Sequence, residues 1–197
     1  MISTSTCKSS SASVNSYVEL INNNKIPSYL EHCLEDIFHE SDNFFGSKID
    51  NIDTLLSKAE LDKNINNPIP HAKDSFLARL GGRRICDLMK QFIHSQGFEL
   101  HCDPDYTSGC FYYPPSYGFM GWHTNHNDIG YRLYIAKSLN GDSFFRYYKD
   151  NKIHTCYDPV GYSFRAFLVS DEQEPYWHCV HGGSGRFSIG FHLKKSL

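Results

Sequence analysis

Eight short runs of aromatic and β-branched residues crowd the last hundred positions: CFYY, GFMGWH, YRLYIA, SFFRYY, KIHTCY, YSFRAFLV, WHCV and RFSIGFHL. Turn-forming segments part them: PPS, NHNDIG, LNGD, KDN, DPVG, DEQEP and HGGSG. Runs this short, this apolar and this closely spaced are strands, and many of them in succession pack as a β-sandwich or barrel. The spacing predicts a β core over residues 98–197.

The region before it has a different texture. Ser28 and Glu31 form a capping box, and Leu30, Leu34, Ile37 and Phe38 follow on one helical face. Ile52, Leu55, Leu56 and Ala59 repeat the pattern, and NINNPIPH then reads as a turn-rich connection. A third helix is expected from Ile85 through Leu88, Met89, Phe92 and Ile93, with Gly97 placed to stop it. Residues 1–13, rich in Ser and Thr, read as disordered. The expectation is an α+β fold: a helical stretch over 14–97 packed on the β core, the two forming one domain over 14–197.

Composition narrows the function classes. A length of 197 residues suits one domain with a sizeable core. The net charge of -3 disfavours a broad nucleic-acid or anionic-membrane surface, because both need concentrated Lys and Arg. The seven cysteines are scattered, odd in number and free of C-x-x-C pairs, as expected of reduced thiols in a cytoplasmic protein. No run approaches the roughly 18 apolar residues of a membrane span.

Polar chemistry concentrates in three segments of the β region. They are Gly121-Trp122-His123-Thr124-Asn125-His126-Asn127-Asp128, then Trp177-His178-Cys179-Val180-His181, then Arg186-Phe187-Ser188-Ile189-Gly190-Phe191-His192. Five of the eleven histidines lie there. Mononuclear iron would need such a set: two imidazoles and one oxygen ligand on one face leave three positions open, enough for a bidentate 2-oxo acid and O₂. An Arg just past the second His can grip the far carboxylate of that acid with two parallel bonds. Ser188, two residues after Arg186, faces the same side of a strand and can add a hydrogen bond.

The chain resembles the 2-oxoglutarate/iron(II) dioxygenase superfamily over about residues 109–193. GWHTN is similar to the GWHxD of its first iron-binding strand, WHCV to its second-His strand, and RFSIGF to its R-x-S oxoglutarate strand. The layout is nearest to AlkB-type and small phage- or bacterial-type oxygenases. The resemblance implies a double-stranded β-helix (jelly-roll, cupin-like) and Fe(II), 2-oxoglutarate and O₂ as cofactor and co-substrates. It implies hydroxylation or oxidative demethylation of a substrate; the net charge, and His192 where AlkB-type enzymes tend to have a second Arg, favour a small molecule or protein side chain over nucleic acid. It also implies His123 and His178 as metal ligands, Arg186 and Ser188 on the co-substrate, and Tyr113 beside them. Trp122 and Trp177, flanking the histidines, are expected to wall the pocket.

One departure stands out. The acid expected two residues after the first His is Asn125, while His126-Asn127-Asp128 is a literal H-x-D. His123 is preferred because it ends an apolar strand, and the oxygen ligand stays open between Asn125 and Asp128. A lone strand histidine is usually a packed or surface residue, which is the plain reading of His126, His154 and His181. Arg132 can pair with a carboxylate or reach substrate. The rival to the enzyme is a non-catalytic β-sandwich, or a cupin-type site of His123, His126 and His178 that does not turn over oxoglutarate.

Overall fold

The computed structural model describes residues 18–20, 44–79 and 109–192, together with Asp87, Lys90, Gln91 and His94, which are helical. Its first elements are β1 (Val18–Leu20), β2 (Phe44–Gly46), α1 (Ile52–Leu55), α2 (Lys58–Asn64) and β3 (Ser75–Arg79). There follow β4 (Gly109–Tyr113), β5 (Phe119–His123), β6 (Gly130–Ser138), β7 (Phe144–Lys149), β8 (Lys152–Tyr157), β9 (Gly161–Val169), β10 (His178–His181) and β11 (Arg186–His192). All eight apolar runs are strands.

These strands form one sheet in the order β1-β9-β6-β11-β4-β3-β5-β10-β7-β8, with β2 also on β3. Every ladder between them is antiparallel. Seven steps separate β9 from β7, which in a flat sheet would be roughly 34 Å at about 4.8 Å per step. Yet the rings of Phe167 on β9 and Phe145 on β7 lie 5.4 Å apart. The sheet is therefore curled into a half-barrel, jelly-roll-like in its path, with β3 joining its two halves. Asp150 and Asn151, both at positive φ, make the tight turn between β7 and β8.

Alternation along the strands sorts the core into two clusters. Inside the curl lie Leu77, Tyr113, Phe145, Tyr147, Phe167, Tyr176 and Val180. On the outer face of β5, β7 and β10 lie Phe119, Trp122, Phe144, Trp177 and Cys179, covered by Ile52, Leu56 and Leu61 of the α1–α2 segment. The expected helix around Ile52 is in fact two short ones, because Asn51 and then Ser57 cap new N-termini. The sheet binds carbonyls at that break: Arg146 Nη1 donates to Leu56 O at 2.8 Å and Trp122 Nε1 to Ser57 O at 3.0 Å.

The stretch 14–97 is not uniformly helical, since β1, β2 and β3 all fall within it. The sheet recruited these segments, β1 at its edge beside β9 and β3 between β4 and β5; β3, SFLAR, alternates too briefly for periodicity to separate it from a helix. Asp87, Lys90 and Gln91 are helical where the third helix was expected. The rest of that helix, the Ser28 capping box and residues 1–13 lie outside the described residues. No helix among the described residues is long and apolar enough to cross a membrane.

Candidate active site

His123 and His178 are cross-strand partners on β5 and β10, with ring centroids 4.1 Å apart. Both are buried, at 4% and 3% exposure. A β-bulge brings them together. Val180 pairs with Met120 and His178 with His123, so Cys179 alone spans Gly121 and Trp122. Met120 faces inward, and strict alternation would send His123, three residues on, to the other side; the extra residue turns it back. Gly121 fits because its N–H donates to Asp74 O at 2.9 Å, and a Cβ there would lie only 2.9 Å from the same oxygen.

The tautomers follow from the backbone. His123 Nδ1 donates to Gly121 O at 2.9 Å and His178 Nδ1 to Tyr176 O at 2.8 Å, so each Nε2 keeps its lone pair. Burial pushes the His123 pKa down to about 4 and drives that of His178 well below its usual value, keeping both rings neutral.

Asn125 stands beside them. Its amide nitrogen is 3.2 Å from His178 Nε2, and its backbone is left-handed at φ 54°, a region Asn tolerates better than most residues. The loop is pinned by Thr124 N to Ile69 O at 3.0 Å and Asn125 N to Pro70 O at 2.9 Å. Among the described residues no three His, Cys, Asp or Glu side chains gather as a metal-binding group; the third neighbour of the pair is this amide. Asp128 is engaged elsewhere. Its Oδ2 lies 2.9 Å from Arg132 Nη2 and 3.0 Å from His192 Nε2, and Arg132 also donates to Asp128 O. Arg132 thus pairs with a carboxylate, and His126 bonds to Thr124 Oγ1 at 2.7 Å.

Arg186, Ser188 and Tyr113 line one inner pocket with His123 and His178. Arg186 and Tyr113 are cross-strand partners on β11 and β4, the guanidinium carbon 5.4 Å from the ring centre. Arg186 Nε donates to Asp158 Oδ2 at 2.9 Å, while Nη1 is buried with no hydrogen-bond partner. Burial pushes the Tyr113 phenol up to about 12, against the pull of Arg186 and a hydrogen bond with Ser188. The pocket measures about 30 Å³, room for one or two waters. A cleft of about 480 Å³ adjoins it and shares Phe111, Met120, His123 and Tyr134.

Trp122 and Trp177 do not wall this pocket; both pack in the outer cluster toward α1 and α2. Their position next to the histidines puts them on the opposite face, as strand alternation and the bulge require. Sequence reasoning missed Asp158. It is buried at 1% exposure and accepts from Ser143 Oγ at 2.6 Å, Ser163 Oγ at 3.3 Å, Arg165 Nη1 and Arg186 Nε. Burial alone would raise its pKa, but Arg186 and Arg165 outweigh that and hold the carboxyl below the usual range. The signal was Arg165 itself, a charge amid the apolar run YSFRAFLV that needs an anion. His71 and Tyr134, lining the cleft, were also unforeseen.

No known family model matches the chain, and no curated protein matches it. Among solved structures it is similar to the crystal structure of a prolyl-4-hydroxylase from Pseudomonas putida, at 17% sequence identity and a TM-score of 0.39, over 84% of this chain and 99% of that one.

Proposed function

We propose that the protein is a non-haem iron(II), 2-oxoglutarate-dependent oxygenase that hydroxylates or oxidatively demethylates a small molecule or protein side chain. One observation carries the reading. Two neutral imidazoles with unprotonated Nε2 atoms, that of His178 facing the Asn125 amide, share a buried pocket with a guanidinium whose Nη1 has no partner. An unpaired buried donor on a cation is costly unless an anion completes it.

The residues present fit iron and a dicarboxylate. His123 and His178 would hold the metal, with Asn125 as oxygen ligand if its amide turns over. A half-turn of the amide exchanges Nδ2 and Oδ1, and Oδ1 would then face the same point as His178 Nε2. Arg186 would bind the far carboxylate, with Ser188 and Tyr113 orienting it. Bound together, iron and oxoglutarate supply the oxidation of a C–H bond by O₂, with succinate and CO₂ as co-products. Phe111, Phe145, Val180 and Tyr134 keep water from the inner pocket. Because that pocket is small, Phe111, Met120 and Tyr134, the side chains shared with the cleft, would have to draw aside for a five-carbon dicarboxylate to enter.

The strand order supports a double-stranded β-helix: β9-β6-β11-β4 and β5-β10-β7-β8 are two four-stranded layers between which the chain alternates, save for the β7–β8 hairpin within one layer. The cupin-type alternative gains no support, since His126 lines neither hollow. The test is conversion of oxoglutarate to succinate by iron-loaded protein. Wild type turns it over and His178→Ala does not; equal background rates in both would refute the proposal.

A further inference from the structure

Asp158 lies outside the pocket it serves. It follows β8, accepts from four side chains, and gives one oxygen, Oδ2, to both Ser143 Oγ at 2.6 Å and Arg186 Nε at 2.9 Å. The carboxylate thereby takes Nε of the guanidinium and leaves Nη1 unpartnered on a residue that lines the pocket. Ser143, Asp158 and Arg186 are each nearly inaccessible, at 0%, 1% and 2% exposure, so none can readjust without moving the others. An arginine side chain carries several rotatable bonds, and a guanidinium held only by its ligand would follow that ligand. Held through Nε, it stands at one fixed distance from His123 and His178.

Resting on the oxygenase reading, we propose that Asp158 is a positioning residue that sets the co-substrate's chain length, by clamping Arg186 at a fixed span from the two histidines. The five-carbon keto acid then bridges imidazoles and guanidinium, while four- and six-carbon homologues meet a partner that cannot follow them. The same carboxylate could instead act merely as a negative charge near an anion site. That role makes the opposite prediction, because removing the charge would then tighten binding of every homologue.

The experiment is calorimetric titration of zinc-loaded protein with oxaloacetate, 2-oxoglutarate and 2-oxoadipate, which needs no turnover. Wild type should prefer oxoglutarate. In Asp158→Asn an amide cannot accept from two guanidinium groups and two hydroxyls at once, so oxoglutarate should weaken roughly tenfold, the scale of one charged hydrogen bond. The homologues should weaken less, narrowing the preference by a similar factor. Asp158→Glu, charged but displaced by a methylene, should shift the preference rather than restore it. Ser143→Ala, a milder change on the same oxygen, should narrow it in the same direction and serves if Asp158→Asn does not fold. Unchanged ratios in a folded variant, or uniformly tighter binding, would overturn the proposal while leaving the oxygenase reading intact. Failure of wild type to bind any of the three acids would instead overturn that reading.

Discussion

His123 and His178 face each other across β5 and β10, and each donates its Nδ1 proton to the carbonyl of the residue two before it, Gly121 and Tyr176. Neither ring can turn without losing a buried hydrogen bond, so both Nε2 lone pairs are fixed in advance of any ligand. Co(II) titration followed by visible absorption should therefore find one site. His123→Ala and His178→Ala should each abolish it, and binding that survives in either variant would remove that histidine from the site.

The bulge that turns His123 inward makes a separate prediction at Gly121. A Cβ there meets backbone, not a flexible side chain, so strand and loop must part. Gly121→Ala should weaken Co(II) binding although it touches no ligand, with a stability loss of about 1–3 kcal/mol in urea denaturation, the usual range for overpacking. Unchanged metal affinity would show that the bulge does not set the imidazole's aim.

The oxygen ligand can be separated by substitution. Asn125 adjoins His178 Nε2, whereas the Asp128 carboxylate is held by Arg132 and His192. Asn125→Ala should weaken metal binding and Asn125→Asp should tighten it, since a carboxylate adds charge. Asp128→Ala should leave metal affinity near wild type and lower the melting temperature instead. The reverse ranking, read from the same titration, would make Asp128 the ligand.

Asp158 should dominate acid stability. Its carboxyl titrates near 3.8 in an unfolded chain and lower in the fold, so folding favours the charged form. That stabilisation is complete above the unfolded value and is lost as pH falls through the folded one. Asp158→Ala, which takes the shared anion from buried Arg165 and Arg186, should cost about 3–5 kcal/mol at neutral pH. Urea denaturation of wild type and Asp158→Asn across the acid range checks the sign: the variant's dependence should be the flatter.

Much of this was legible in the sequence, for local reasons. Aromatic and β-branched runs broken by turn residues mark strands wherever they fold, and all eight in the C-terminal half did. Tyr113, His123, His178 and Arg186 were singled out by the resemblance of their segments to the oxygenase strands, and Ser188 because positions two apart share a strand face; the structure brings all five to one pocket. What escaped depends on partners far along the chain. A bulge is a relation between two strands, so nothing near Trp122 announced that it packs on α1 and α2. Asp158 reads as an ordinary turn residue before a Pro, and only the folding of β9 and β11 against it reveals two arginines. The strand β3, brief and flanked by NINNPIPH, carried too little pattern to be told from the helices around it.

The central claim is that Arg186 is the anchor of a dicarboxylate co-substrate. Calorimetry of oxoglutarate binding to zinc-loaded protein, with wild type and Arg186→Ala side by side, tests it without turnover. Breaking a buried charge pair costs about 3–5 kcal/mol, so the variant should bind at least a hundredfold more weakly, with Arg186→Lys recovering only part. Wild-type protein that takes up no oxoglutarate at millimolar concentration, or Arg186→Ala that binds it as wild type does, would contradict the account.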